Sequence, residues 1–488
     1  MLLKLPIWLQ ILSLFILLGG ATNSLQGWAQ IPDPQPNGSM PDPERPQLTP
    51  GPQEQHWGFL TDSSKRTDLF DSAKYIRLGN DPQAFLSLGL EYRIEYEYFD
   101  NWQLGDGPQD HNGYVLNRLM PHVDLHASRN IRLFTEFQFD YCGDRNGGPR
   151  PNVDEDRGDV HQAFLEIGNR AGRDHRFDVR MGRQEVVFGT GRLFDNNEGL
   201  NVKLSFDGFR TTYTTDKWRA DLFALRPVLN NMGYFDDVPN HQESTWGAYI
   251  TVPAPLLSDG RADLYYIGTD TKLVSYNRGL AREIRHTAGV RAFRTASNKW
   301  DYNWEGNYQW GAFGNDSISA WSLSTETGYT FAGTRFQLRP LLRVDSYSGD
   351  GNPSNCTLGT FNSLFPRGAY FTPKLYPFLG SQNLIDIHPF LQFMLTKSIV
   401  GSVSWNRYWR ESIRDGVYAF GSGTLATPAS LDRTRYLGSQ ADVQIRWAPA
   451  PHVITAFNLA GFTPGGFLQK IPDHRSPIAG NIGMTYRF

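Results

Sequence analysis

The sequence predicts an all-β fold: an 18-stranded antiparallel transmembrane β-barrel with short periplasmic turns and long extracellular loops. Three observations predict it. From about residue 85 onward, apolar and polar residues alternate with a period of two in eighteen segments. The connections between these segments alternate between short and long. Aromatic residues make up 14% of a chain whose mean hydropathy is only -0.45, and no segment after the N-terminus is apolar for long enough to span a bilayer as a helix.

The N-terminal elements come first. Lys4 precedes an apolar run from Leu5 to Leu18, and "QGWAQ" follows, with Gly27 and Ala29 at positions suited to signal-peptidase cleavage. Residues 1–29 therefore read as a secretory signal peptide. Residues 30–67 are rich in Pro and poor in apolar side chains, so the expectation there is a flexible periplasmic linker. The barrel is assigned to 68–488.

The first strand shows the pattern most clearly. In "AFLSLGLEYRIEYEYF", Leu86, Leu88, Leu90, Tyr92, Ile94, Tyr96 and Tyr98 share one face, and Ser87, Glu91, Arg93, Glu95 and Glu97 share the other. "WDYNWEGNYQWGAF" and "YLGSQADVQIRWA" repeat it. The segments lie near 85–98, 114–127, 131–141, 160–169, 174–188, 204–215, 217–227, 244–253, 262–270, 284–296, 299–313, 318–331, 334–347, 384–396, 398–411, 433–448, 451–462 and 477–488. Short turns include 128–130, 215–217, 297–299 and 332–334; long loops include 142–159, 189–203, 228–243, 348–383 and 412–432. Periplasmic turns of outer-membrane barrels are short and extracellular loops long. The last segment, "IAGNIGMTYRF", places Ile478, Ile482, Met484, Tyr486 and Phe488 on the lipid face and is expected to close the sheet against the first strand. The aromatic excess fits girdles at the two membrane interfaces.

The opposite face is charged. Parity places Arg93, Arg118, Arg132, Arg180, Arg210, Arg219 and Arg343 in the lumen, together with at least as many carboxylates. Selectivity must then come from where the charges lie along the axis. "RFDVRMGRQEVVFG" changes parity: Phe177, Val179 and Met181 face lipid, yet so should Val186 and Phe188. A bulge at Gly182 would reconcile them and turn Arg183 and Glu185 inward. Loop 348–383 is long enough to fold into or over the mouth as a gate.

Other classes are disfavoured. A net charge of -3 gives no basic bias toward nucleic acid. Nucleophile-elbow, metalloprotease and dinucleotide motifs are missing, so the expectation is no enzyme and no cofactor. His122, Asp124 and His126 share a face at spacing two, and "NVDEDRGD" at 152–159 gathers carboxylates, but neither forms a recognisable metal motif. Cys142 and Cys356 could pair only if loop 348–383 crossed the lumen; free thiols are the expectation.

Several stretches resemble the alginate export family of outer-membrane proteins: "DLFDSAKYIRLGND", "LSLGLEYRIEYE", "GDVHQAFLEI", "GRQEVVFGTGRLF" and "NVKLSFDGFR". The resemblance covers roughly 68–488 and is densest over 68–213. It implies a monomeric eighteen-stranded barrel that secretes an anionic polyuronate through an arginine-lined constriction. Matching positions are Arg93, Arg183 and Arg210, with Arg192 in the following loop; Asp159, His161 and Gln162 match a "DxHQAF" element, and Asp207 an "FDG" element. With Arg118 and Arg132 from the lumenal face, these form the expected substrate pathway. The expected function is passive passage of an anionic polysaccharide or related anionic solute across the bacterial outer membrane. Outer-membrane lipid and periplasmic secretion components are the expected partners. The alternatives are a general or small-solute uptake porin and, from another class, an outer-membrane enzyme.

Overall fold

Strands with one apolar and one charged face bury the charges together only by curling the sheet until its edges meet. That is the architecture of the computed structural model, which describes residues 45–488 except 107, 170–174, 255–256, 258–259, 295–298, 332, 372–378 and 421–423. The expected signal peptide lies outside the described residues. One sheet of 21 strands forms the wall, and three of its members are two-residue pairings at 76–77, 238–239 and 357–358. The other eighteen are β1 (Phe85–Asp100), β2 (Asp110–His126), β3 (Ile131–Gly143), β4 (Asp156–Asn169), β5 (His175–Gln184), β6 (Phe206–Thr215), β7 (Arg219–Leu229), β8 (Glu243–Ala254), β9 (Gly260–Tyr276), β10 (Gly279–Arg294), β11 (Trp300–Phe313), β12 (Asp316–Tyr329), β13 (Arg339–Tyr347), β14 (Leu384–Thr396), β15 (Ile399–Arg410), β16 (Tyr436–Ala450), β17 (Val453–Pro464) and β18 (Ile478–Arg487). Each pairs antiparallel with its neighbour in the chain. β18 returns to β1 in the register Glu91↔Arg487 through Asp100↔Ile478, leaving no edge.

β11 shows how the sequence pattern becomes a wall. Trp300, Trp304, Tyr308 and Trp310 are exposed on the outside, while Asp301, Asn303, Glu305, Asn307 and Gln309 are buried inside. Trp321, Trp405 and Trp447 continue the exposed aromatic belt on other strands. No described helix is long and apolar enough to cross a membrane. Two connections at the long-loop end are tight hairpins, 277–278 and 314–315, so the alternation of short and long is broken there.

The chain does not bulge at Gly182. Pairing runs one to one through Arg180↔Arg210, Met181↔Phe209, Gly182↔Gly208 and Arg183↔Asp207. Gly182 has φ +125 and Gly208 φ +149, and a Cβ on Gly182 would lie 2.2 Å from the Ala163 carbonyl oxygen. The glycine pair thus kinks two adjacent strands while keeping their register. The parity change occurs beyond Gln184, where β5 ends.

Residues 45–67 are not a free tether. Trp57, Leu60, Tyr75 and Phe85 form a small apolar core at the start of the barrel. Gln53 is buried: its carbonyl accepts from Arg132 at 2.9 Å and its amide donates to Glu185 at 3.3 Å. The Pro50 carbonyl accepts from Lys203 at 3.2 Å. The wall and the lumenal loops supply the polar partners that a Pro-rich segment cannot supply for itself. Phe488, expected on the lipid face, stacks on Phe70 with ring centroids 4.3 Å apart.

Candidate functional site

Two long loops enter the lumen from the extracellular end. Residues 185–205 lie against the β1–β2 wall: Arg93 donates to the carbonyls of Glu198 and Leu200, and Arg118 pairs with Glu91 and Glu198, both at 2.6 Å. Lys203 sits between Glu185 and Glu198. Burial works against the Lys203 charge, but Glu185, Glu198 and Glu136 outweigh it and raise its pKa. The 348–383 loop comes from the opposite wall, where Arg285 donates to the Thr360 carbonyl and Arg343 to the Tyr370 carbonyl. The two loops meet backbone to backbone: Asp195 N–H donates to Phe365 O at 2.8 Å, Phe365 N–H to Leu193 O at 3.0 Å, and Arg367 N–H to Gly191 O at 2.7 Å. Phe194, fully buried, packs against Phe188, Phe206, Phe223 and Phe365 at this junction.

Most of the arginines expected along the pathway are committed to this scaffold. Arg118 is wholly buried in its two ion pairs. Arg132 holds Asp124 at 2.7 and 2.9 Å. Arg192 donates to Glu305 at 2.8 Å and to the Tyr370 hydroxyl at 2.7 Å. Arg183 and Asp207 bind each other at 3.0 Å, and their register partners on the same face include the exposed Phe209 two residues away. This pair therefore faces outward near the extracellular rim, and the inward Arg183 expected from the sequence is corrected. Asp159 accepts from the backbone N–H groups of Asp236 and Asp237 and lies 4.0 Å from Arg183. Cys142 and Cys356 are free.

Arg210 has a different setting. It lines a cavity of about 400 Å³, part of it open solvent, together with Arg176, Arg180 and Arg219. Three adjacent strands, β5, β6 and β7, put these four guanidinium groups on one patch of wall. Arg180 is held at 2.7 Å from Glu166 and lies over the Phe164 ring at 4.2 Å. Arg210 and Arg219 share Asp221 at 2.9 and 2.8 Å, and Arg176 pairs with Asp178. Four cations against Glu166, Asp178 and Asp221 leave one positive charge in excess (4 - 3 = 1). The Glu54 carboxylate of the N-terminal segment reaches into this patch, 3.5 Å from Arg180, with 57% of its side chain still exposed to the cavity. Enclosure by the wall opposes its ionisation, yet Arg180, Arg210, Arg219 and Arg132 together hold its carboxyl below the ordinary range. The sequence placed Arg180, Arg210 and Arg219 in the lumen by parity. Arg176 shares that parity within β5 but was not singled out, and Glu54 belonged to the segment expected to be a tether.

A cavity of this kind offers guanidinium donors that can accept a carboxylate. Its donors are planar guanidiniums in a confined, water-accessible space, and the Thr212 hydroxyl among them donates to Asp221 at 2.7 Å.

The family model described as alginate export matches residues 84–481. No curated protein sequence matches the chain. Among solved structures, Pseudomonas aeruginosa OpdK with vanillate is similar, with a TM-score of 0.54 and 11% identity over 83% of this chain and 98% of that one. OccK11 (OpdR) from the same organism gives a TM-score of 0.54 at 10% identity over 85% and 99%. OccK2 (OpdF) in complex with glucuronate gives 0.54 at 8% identity over 85% and 99%. At these identities the likeness concerns the fold.

Proposed function

The chain belongs to the alginate export family and is a bacterial outer-membrane channel rather than an enzyme; from that premise we propose that it passes carboxylated sugars, as an alginate-like polyuronate, over the Arg180–Arg210–Arg219 patch. The observation that carries this reading is Glu54. A carboxylate already occupies the patch and balances its single excess positive charge. A uronate carboxylate offers the same group with the same charge. It would displace Glu54 by exchanging one set of guanidinium hydrogen bonds for another, at little net cost. Passage is passive: weak contacts repeated at each sugar of a polymer let it enter without trapping it.

A second reading, uptake of small anionic solutes, is favoured by the lumen itself. The N-terminal segment and two loops cross it, and the enclosed cavity left beside the arginines is only about 50 Å³. So confined a passage favours small solutes over a polymer. The fold neighbours with vanillate and with glucuronate add to this reading.

Planar-bilayer recordings test both. Arg180→Ser combined with Arg210→Ser is expected to shift the reversal potential toward cations and to abolish current block by glucuronate and oligouronates. If oligouronates of increasing length block wild-type current with rising affinity, the polymer reading stands; block by the monomer alone favours uptake. Unchanged ion preference and block in the double variant would remove the arginine patch from the pathway.

A further inference from the structure

At the extracellular end of β4, Asp156 and Asp159 meet Asp237 of the connection between β7 and β8. One oxygen of each lies within 4.8 Å of the others. Asp156 is 1% exposed and Asp159 4%. Three carboxylates together do not make a site, but two further facts point to a missing counterion. Asp156 Oδ1 accepts from the Gly158 N–H at 3.2 Å, whereas Oδ2, although buried, has no hydrogen-bond partner among the described residues. Asp140, the register partner of Asp156 across the β3–β4 ladder, is completely buried, and neither of its oxygens has one either.

The arginines beside Asp159 and Asp140 are already bound to other carboxylates. Arg183 lies 4.0 Å from Asp159, but two of its nitrogens are bound to Asp207. Arg118, beside Asp140 in the β2–β3 ladder, is bound by Glu91 and Glu198. Buried carboxylates without protons, donors or cations are strongly unfavourable. The contrast with a second three-ligand cluster is informative. Glu136, His161 and Glu185 also converge, but there the Lys203 ammonium is bound to Glu185 and fills the need for charge. No such group reaches Asp156.

An all-oxygen donor set with surplus negative charge selects a hard divalent cation. We propose that Asp156, Asp159 and Asp237 bind a cation of the Ca²⁺ class, which ties the 230–237 segment to the rim of β4. The segment is already close to its bound position: Gly158 and Tyr234 form a bridge, and Phe235 N–H donates to Gly158 O at 2.9 Å. The ion would supply what those backbone contacts lack, a partner for Asp156 Oδ2.

The test uses the full-length protein in non-ionic detergent, stripped with EDTA and titrated with CaCl₂ by calorimetry. Limited proteolysis of the 230–242 connection is followed in parallel. One Ca²⁺ per chain is expected, with a dissociation constant in the range of about 10⁻⁴–10⁻³ M that suits extracellular sites. Calcium should protect the connection from cleavage. Asp156→Asn with Asp237→Asn should abolish the protection and weaken binding about tenfold or more, with barrel heat-modifiability on gels intact. Wild-type protein that neither binds nor gains protection at about 10 mM Ca²⁺ overturns the proposal without recourse to any variant. Binding that survives the double substitution unchanged overturns it as well, because the ion would then lie elsewhere. Should the double variant not fold, Asp156→Asn alone serves, with the same two outcomes.

Discussion

Lys74 is a buried ammonium with no hydrogen bond to its Nζ, set over the rings of Trp57 and Phe488 at 5.2 and 5.6 Å. Burial lowers its pKa from 10.5 to about 8, although Asp124 and Asp68 oppose the shift. His122 also faces it, and at Gly89 the lysine and that imidazole fill the space a Cβ would need. The sign follows from proton counting. Between pH 8 and 10.5 a released N-terminal segment binds more protons than the docked one. Docking should therefore strengthen as pH rises through that window and carry its full penalty, on the order of 3 kcal/mol, below it. Trp57 fluorescence and protease access followed from pH 7 to 11 should show tightening in the wild type and a flat response in Lys74→Met. Single residues also mark where the sequence could be read and where it could not. Arg210 was legible because strand parity alone decides which way it points. Arg183 was misread because two apolar residues past the end of β5, Val186 and Phe188, look like strand residues; they are buried among lumenal loops and owe nothing to lipid.

At the scale of elements, all eighteen strands were legible, since a period of two over nine or more residues marks a strand with two unlike faces. Of their loops, only the entry of 348–383 into the mouth was legible, from its length; the contacts were not. A loop inside a lumen needs partners for its backbone, and those partners come from wall residues remote in sequence. Two outcomes test how elements depend on their joints. Gly182→Ala places a Cβ against the Ala163 carbonyl at a φ of +125. It should cost about 1–3 kcal/mol and lower the temperature at which the barrel loses its folded gel mobility. Phe194→Ala empties the aromatic junction between the two lumenal loops. The contact should weaken by about 3–5 kcal/mol, seen as frequent large-conductance openings in single-channel records, with barrel assembly unchanged.

For the whole molecule, the decisive feature is that residues 45–75 occupy the barrel they precede. Composition pointed the other way, because a segment rich in Pro and poor in apolar residues cannot build a core of its own. It borrows one: Gln53, Glu54 and Pro50 are all held by side chains of the wall or the lumenal loops. Deleting 45–75 should raise single-channel conductance several-fold and increase anion preference, since the excess positive charge near Arg210 loses its Glu54 partner. A barrel of normal heat-modifiability with unchanged conductance would show that the segment does not obstruct the path.

The seam of the barrel also sets the order of folding. Glu91 bonds Arg487 across 396 residues, and Asp68 bonds His452 across 384. Contacts of such separation form only after the intervening chain has lost its freedom, so they come late and slowly. The segment that enters the lumen precedes the barrel in the chain, yet its site is complete only once the last strands bring His452 and Phe488 to it. The barrel must therefore close around its own beginning. Substitutions at His452 or Arg487 should show themselves chiefly as slow maturation and prolonged exposure to periplasmic proteases, while the finished protein conducts normally.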